Sequence, residues 1–107
     1  MSRGGPQPKM DPALAEVARL LQATPTRMAV LASLNIDGPQ TRGELMSRLG
    51  LGVGAVQHQL MSLREIGLVV AVPLEEPDRY HRTEYRIASE ALIAIYRTLG
   101  LGLGLTA

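Results

Sequence analysis

Gln57 and His58 are the side chains in this chain best suited to recognition chemistry, and Gly54 and Ala55 stand one helical turn before them. A primary amide offers a donor beside an acceptor, the pattern that matches the N6 and N7 edge of adenine. An imidazole nitrogen can donate to an acceptor of guanine, and the Ala55 methyl can touch a thymine methyl. Cations suited to phosphate lie at Arg42, beside the hydroxyl of Thr41, and in the late cluster Arg79, His81 and Arg82. Groups of this kind recognise edges and charges without breaking bonds.

Other chemistries lack their parts. The chain has no cysteine, which excludes disulfides, thiolate catalysis and cysteine-containing metal sites. Glu75 and Glu76 are adjacent, so in an extended segment they point apart and make a poor acid/base pair. His58 and His81 have neither metal-ligand spacing nor a neighbouring nucleophile, and no glycine-rich phosphate loop follows a strand. An enzyme is the least supported class, and no cofactor or metal is expected.

The elements that would position these groups follow from periodicity. Val53, Val56, Leu60 and Leu63 recur at helical spacing and define a buried face for a helix over 53–66. His58 then lies almost opposite that face, with Gly54, Ala55 and Ser62 beside it and Gln57 and Gln59 on the two flanks. Before it, Thr41 and Glu44 match a capping box, which predicts a helix from Thr41 to about Leu49 with Leu45 and Leu49 inward. Gly50 suits the left-handed residue that ends that helix, and Gly52 the entry to the next. So short a connection predicts two helices crossing steeply, a helix-turn-helix.

The flanking chain adds to this unit. Asp11 and Pro12 open a first helix that carries Leu14, Val17, Leu20 and Leu21 and stops near Ala23, because Pro25 disfavours helical geometry at Thr24. Thr24 and Pro25 open a second helix with Met28, Leu31 and Leu34 inward, ended by Asn35, Asp37, Gly38 and Pro39. After Gly67, residues 68–72 read as a strand and 83–87 as its partner, with Tyr85 and Ile87 on one side and Glu84 and Arg86 on the other. Between them, 73–82 is a polar hairpin tip. Ser89 caps a last helix to about Leu99, whose Leu92, Ile93, Ile95, Tyr96 and Leu99 spread over more than one face and ask for cover from a second subunit. The fold class is mostly α with a β-hairpin: a winged helix-turn-helix, a three-helix core plus a two-stranded wing, with additional N- and C-terminal helices.

Composition sets the bounds. The 107 residues suffice for one domain; 46% are apolar, and three tyrosines are the only aromatics, so the core is aliphatic. The organisation expected is a disordered tail over 1–9, a winged-helix domain with terminal dimerisation helices over 10–100, and a Gly/Leu tail over 101–107. No apolar run approaches the roughly 18 to 20 residues needed to cross a bilayer, and residues 1–9 lack the apolar segment of a signal peptide. A cytoplasmic location fits the missing cysteines. The net charge of +1 leaves the placement of the cations to decide whether a nucleic acid is bound.

The segment VGAVQHQLMSLREIGLVVA resembles the recognition helix and wing entry of winged-helix regulators of the ArsR and MarR type, through Val56, Leu60, Leu63, Arg64, Glu65, Gly67, Leu68 and Val69. The wider likeness, helices first, then a wing and a last helix, covers about residues 10 to 100. It implies a homodimeric transcriptional repressor whose first and last helices form the dimer interface, here through Leu14, Val17, Leu21, Leu92, Ile95, Tyr96 and Leu99. Gly52 and Gly54 stand where the family often carries a serine or threonine. The partner expected is double-stranded DNA read as a near-palindromic operator, with base contacts from Gly54, Ala55, Gln57 and His58 and backbone contacts from Thr41, Arg42, Arg79, His81 and Arg82. The rival reading is a winged helix used for protein contacts without DNA, which the near-neutral charge and the apolar last helix favour.

Overall fold

The computed structural model describes residues 8–73 and 83–105. Proline starts each of the first two helices, and a side-chain cap joins it only at the second. Helix α1 (Pro12–Leu21) has Asp11 at its N-cap position, although the carboxylate makes no capping bond, and it stops at Leu21, two residues before the expected end. Gln22 takes a left-handed conformation (φ +39°), with its N–H on the Ala18 carbonyl. In α2 (Pro25–Asp37) the Thr24 hydroxyl accepts from the Arg27 amide at 3.2 Å, as an N-cap should. Leu31 and Leu34 are buried as expected, together with Val30, and Met28 packs against the same cluster.

The capping box forms in full. The Thr41 hydroxyl accepts from the Glu44 amide at 3.2 Å, and Glu44 Oε1 accepts from the Thr41 amide at 2.8 Å, which fixes the start of α3 (Arg42–Leu49). Gly50 ends it at φ +68°, where a side chain would strain the backbone, and the Gly50 and Leu51 amides both donate to the Met46 carbonyl. Helix α4 (Val53–Glu65) follows α3 after three intervening residues and buries Val56, Leu60 and Leu63 completely. Val53 does not join them: it is 52% exposed. A helical side chain leans over the turn before it, and the first residue of a helix has no such turn to cover.

Gly67, at φ +82°, turns the chain out of α4, and the Leu68 amide returns to the Leu63 carbonyl at 2.9 Å. The sheet has three strands where two were expected. Strand β1 (Gln40–Thr41) is too short to show alternation in sequence; it pairs antiparallel with β3 (Thr83–Ile87), which pairs antiparallel with β2 (Val69–Pro73), in the order β1-β3-β2. The register sets Val69 opposite Ile87 and Pro73 opposite Thr83. Tyr85 and Ile87 lean on the core and Arg86 is exposed, but Glu84, expected on the outer side with Arg86, is half-buried, so the expected alternation holds only in part. The wing tip 74–82, which includes Arg79, His81 and Arg82, and the first seven residues of the expected N-terminal tail lie outside the described residues.

Helix α5 (Ser89–Gly102) departs from expectation at both ends. Ala88 holds the N-cap position, so Ser89 is the first helical residue and caps nothing, and the helix runs three residues beyond Leu99. The two terminal helices pack on each other so closely that a Cβ on Gly102 would fall 2.9 Å from Leu14 Cβ. That approach is possible only at glycine, which explains a residue of low helix propensity inside the last turn. Val17, expected at a subunit interface, is 4% exposed within its own chain. Helix α5 contains no fully buried residue: Leu92 and Ile95 lean on the core, whereas Ile93, Tyr96 and Leu101 are exposed.

Candidate nucleic-acid interface

The first half of α4 forms an open surface. Gly54, Ala55 and His58 are exposed, Val53 lies beside them, and Met61 extends the same side at 55% exposure. A Cβ on Gly54 would meet nothing within 4 Å, so none of the described residues packs on the helix at this point. The opposite face is clamped into the aliphatic core by Val56, Leu60 and Leu63. The orientation expected from periodicity is the one observed.

Gln57 is tied to α3. Its Oε1 accepts from Arg42 Nη1 at 2.8 Å, which brings together two of the expected contact residues from different elements. Arginine has only donors, so the amide oxygen must face Arg42 and the amide nitrogen is turned outward. In this state one lone pair of Oε1 is taken by Arg42, so the paired donor and acceptor pattern expected for adenine is restricted by that bond. Thr41 is partly buried and its hydroxyl oxygen is engaged in the cap, while Arg42 is exposed at the start of α3. The first amides of a helix have no partner within it, so this start also favours an anion.

Gln59 and Ser62 are not available at this surface. Both accept hydrogen bonds from the buried Arg27, Gln59 Oε1 at 3.0 Å from Nε and the Ser62 hydroxyl from Nη2. Arg27 escaped the sequence reading, although its spacing from Val30, Leu31 and Leu34 places it on the buried stripe of α2. Gln40 escaped it too: it is 2% exposed, and its amide nitrogen donates to the Ser33 and Gly38 carbonyls at 3.0 and 3.2 Å, which ties β1 to the C-terminal end of α2. Among the described residues no group of three or more metal-ligating side chains comes together, and no helix is long and apolar enough to cross a membrane.

Residues 23–72, which hold α2, α3, α4 and the first residues of β2, match a helix-turn-helix domain family. Over 97% of its length the chain is 36% identical to the HTH-type transcriptional regulator NmtR of Mycobacterium tuberculosis, and it covers 88% of that protein. The chain is a winged helix-turn-helix transcriptional regulator of the ArsR and MarR type. Membership of this family places it among regulators that bind DNA, and its relatives are not enzymes. Reduced HlyU from Vibrio cholerae superposes at a TM-score of 0.60, with 31% identity and coverage of 82% of this chain and 86% of that one. A mutant MarR from Escherichia coli in complex with operator DNA superposes at 0.60 over 88% of this chain. At 24% identity, and with 65% of that longer chain covered, the MarR likeness concerns the fold.

Proposed function

We propose that this winged-helix regulator is a homodimeric repressor that reads a near-palindromic operator through α4 and the wing at 73–82, on the nucleoid in the cytoplasm. Residues 10–100 act as one DNA-binding domain whose terminal helices dimerise. The observation that carries this reading is the uncovered side of α4, with Gly54, Ala55 and His58 free and Gln57 held between α3 and α4. In the major groove His58 donates to a guanine acceptor and Ala55 touches a thymine methyl, while Gly54 admits the backbone close to the bases. Gln57, with its oxygen held by Arg42, donates from Nε2 to guanine O6 or N7 or to thymine O4; release by Arg42 restores the paired contact to adenine. Thr41 and Arg42 serve the phosphates from the start of α3, and Arg79, His81 and Arg82 from the wing.

The test is selection of tight binders from random duplexes, followed by affinity against salt. A regulator contacting several phosphates loses affinity steeply as salt rises. Arg82→Ala weakens all duplexes alike and lowers the salt slope by about one unit. A chain that enriches no sequence and shows no salt-dependent binding would not be a DNA reader. The second reading, a protein-contact module, is favoured by the apolar exposed side of α5 and the net charge of +1, and that outcome would establish it.

A further inference from the structure

Among the described residues Arg27 is the only charged side chain that the fold buries, at 3% exposure. No carboxylate pairs with it among those residues. Its donors go elsewhere: Nη1 to the Leu20 and Leu21 carbonyls at 2.9 and 3.3 Å, Nε to Gln59 Oε1 at 3.0 Å, and Nη2 to the Ser62 hydroxyl. The two carbonyls belong to the last turn of α1, where they have no partner within the helix and where the helix carries its negative end. A buried cation is costly unless it is met by acceptors of this kind. The planar fork of arginine holds several of them at once, and a lysine ammonium cannot reproduce that geometry.

These bonds join helices that otherwise belong to different layers. Helix α1 packs chiefly on α5, whereas α4 packs on α2, α3 and β2. Gln59 and Ser62 lie one turn apart on α4, so bonds to both fix the rotation of that helix about its axis as well as its distance. We propose that Arg27 is a positioning residue for DNA recognition: it clamps α4 to the end of α1, and so sets how the groove-facing side of α4 is placed relative to the terminal helices. In a dimer built on those helices, the same clamp governs the offset between the two copies of α4, hence the half-site spacing that is read. This rests on the DNA-reading role of α4 given above. Arg27 itself touches no DNA.

Two measurements on the full chain separate the proposal from that reading. The sequence contains no cysteine, so Ala15→Cys on the exposed side of α1 and Met61→Cys on α4 define one spin-label pair, measured by pulsed EPR without DNA in labelled chains diluted into unlabelled ones. With Arg27 present the distance distribution is narrow; Arg27→Met broadens it, and Arg27→Lys, which keeps the charge and some donors, lies between. On duplexes selected by the parent chain, Arg27→Met lowers affinity by about tenfold or more with the salt slope unchanged, because no phosphate contact is lost. Equal distance distributions in the folded variants would overturn the clamp, and a slope lower by about one unit would make Arg27 a phosphate contact instead. If Arg27→Met does not fold, Gln59→Leu and Ser62→Ala, each removing one acceptor on α4, carry the same two measurements. Should the parent chain bind no duplex, the role of α4 falls while the distances still decide the clamp.

Discussion

At the scale of single residues, the pairing of Arg42 with Gln57 makes the sharpest prediction. Gln57→Ala removes one donor at the groove and relaxes preference at one or two base positions, with a loss of about 1–3 kcal/mol on the selected duplex. Arg42→Ala changes two readouts at once: the salt slope falls by about one unit, and the base preference governed by Gln57 shifts because its amide is released. A selection that returns the same sequence for both variants would remove Gln57 from the reading set. Gly54→Ala separates folding from recognition. The added methyl meets no neighbour and raises helix propensity, so the fold gains up to about 1 kcal/mol while affinity for the selected duplex drops. His58, Ala55 and Gly54 were legible as free residues because they lie opposite a strong aliphatic stripe. The Arg42 bond was not, since it joins residues 42 and 57 across a turn whose crossing geometry no local pattern specifies.

At the scale of elements, most signals confined to a few residues were read correctly, the caps expected from Asp11 and Ser89 being the exceptions. The capping box at Thr41 and Glu44, the proline starts of α1 and α2 and the glycines at 50 and 67 all depend on local backbone chemistry, and each stands where its pattern put it. Gly67→Ala should cost about 1–2 kcal/mol in denaturant unfolding, because φ is +82° and nothing nearby would gain from the methyl. A neutral result would mean that this turn relaxes to another conformation. Elements that depend on distant partners were missed. The pairing of Gln40 and Thr41 with Tyr85 and Glu84 spans more than forty positions in the chain. The last turn of α5 contains glycines that argue against a helix, and Gly102 there lies so close to Leu14 that a Cβ would fall 2.9 Å from it. Gly102→Ala therefore separates α1 from α5, with a loss of about 1–3 kcal/mol read as a lower denaturation midpoint.

At the scale of the whole molecule, the three-helix core is closed and the terminal layer is open. Val30, Leu45, Val56, Leu60 and Leu63 are completely buried, so a large-to-small change such as Leu60→Ala costs about 2–5 kcal/mol and unfolds the domain as a unit. The terminal layer behaves differently, since Ile93, Tyr96 and Leu101 face outward on a helix with no buried residue. Tyr96→Glu on that face places a charge where a second copy would sit. Sedimentation should show dissociation at concentrations where the parent chain is associated, with far-ultraviolet dichroism nearly unchanged. Identical sedimentation of two associated proteins would move the proposed dimer interface away from α5, and a monomeric parent chain would remove the dimer altogether. The aliphatic stripes predicted that these helices need cover; which residues cover them inside one chain, as Val17 is covered, required the packing to be seen.

The open side of α5 has a consequence for how such a regulator responds to its own abundance. When a subunit completes its hydrophobic layer only by meeting another, melting temperature rises with protein concentration. In the proposed dimer, operator occupancy would then vary more steeply than the amount of protein, because pairing would precede reading. A cell making few copies would hold them as loosened singles, and a modest rise in synthesis would convert them together into competent readers.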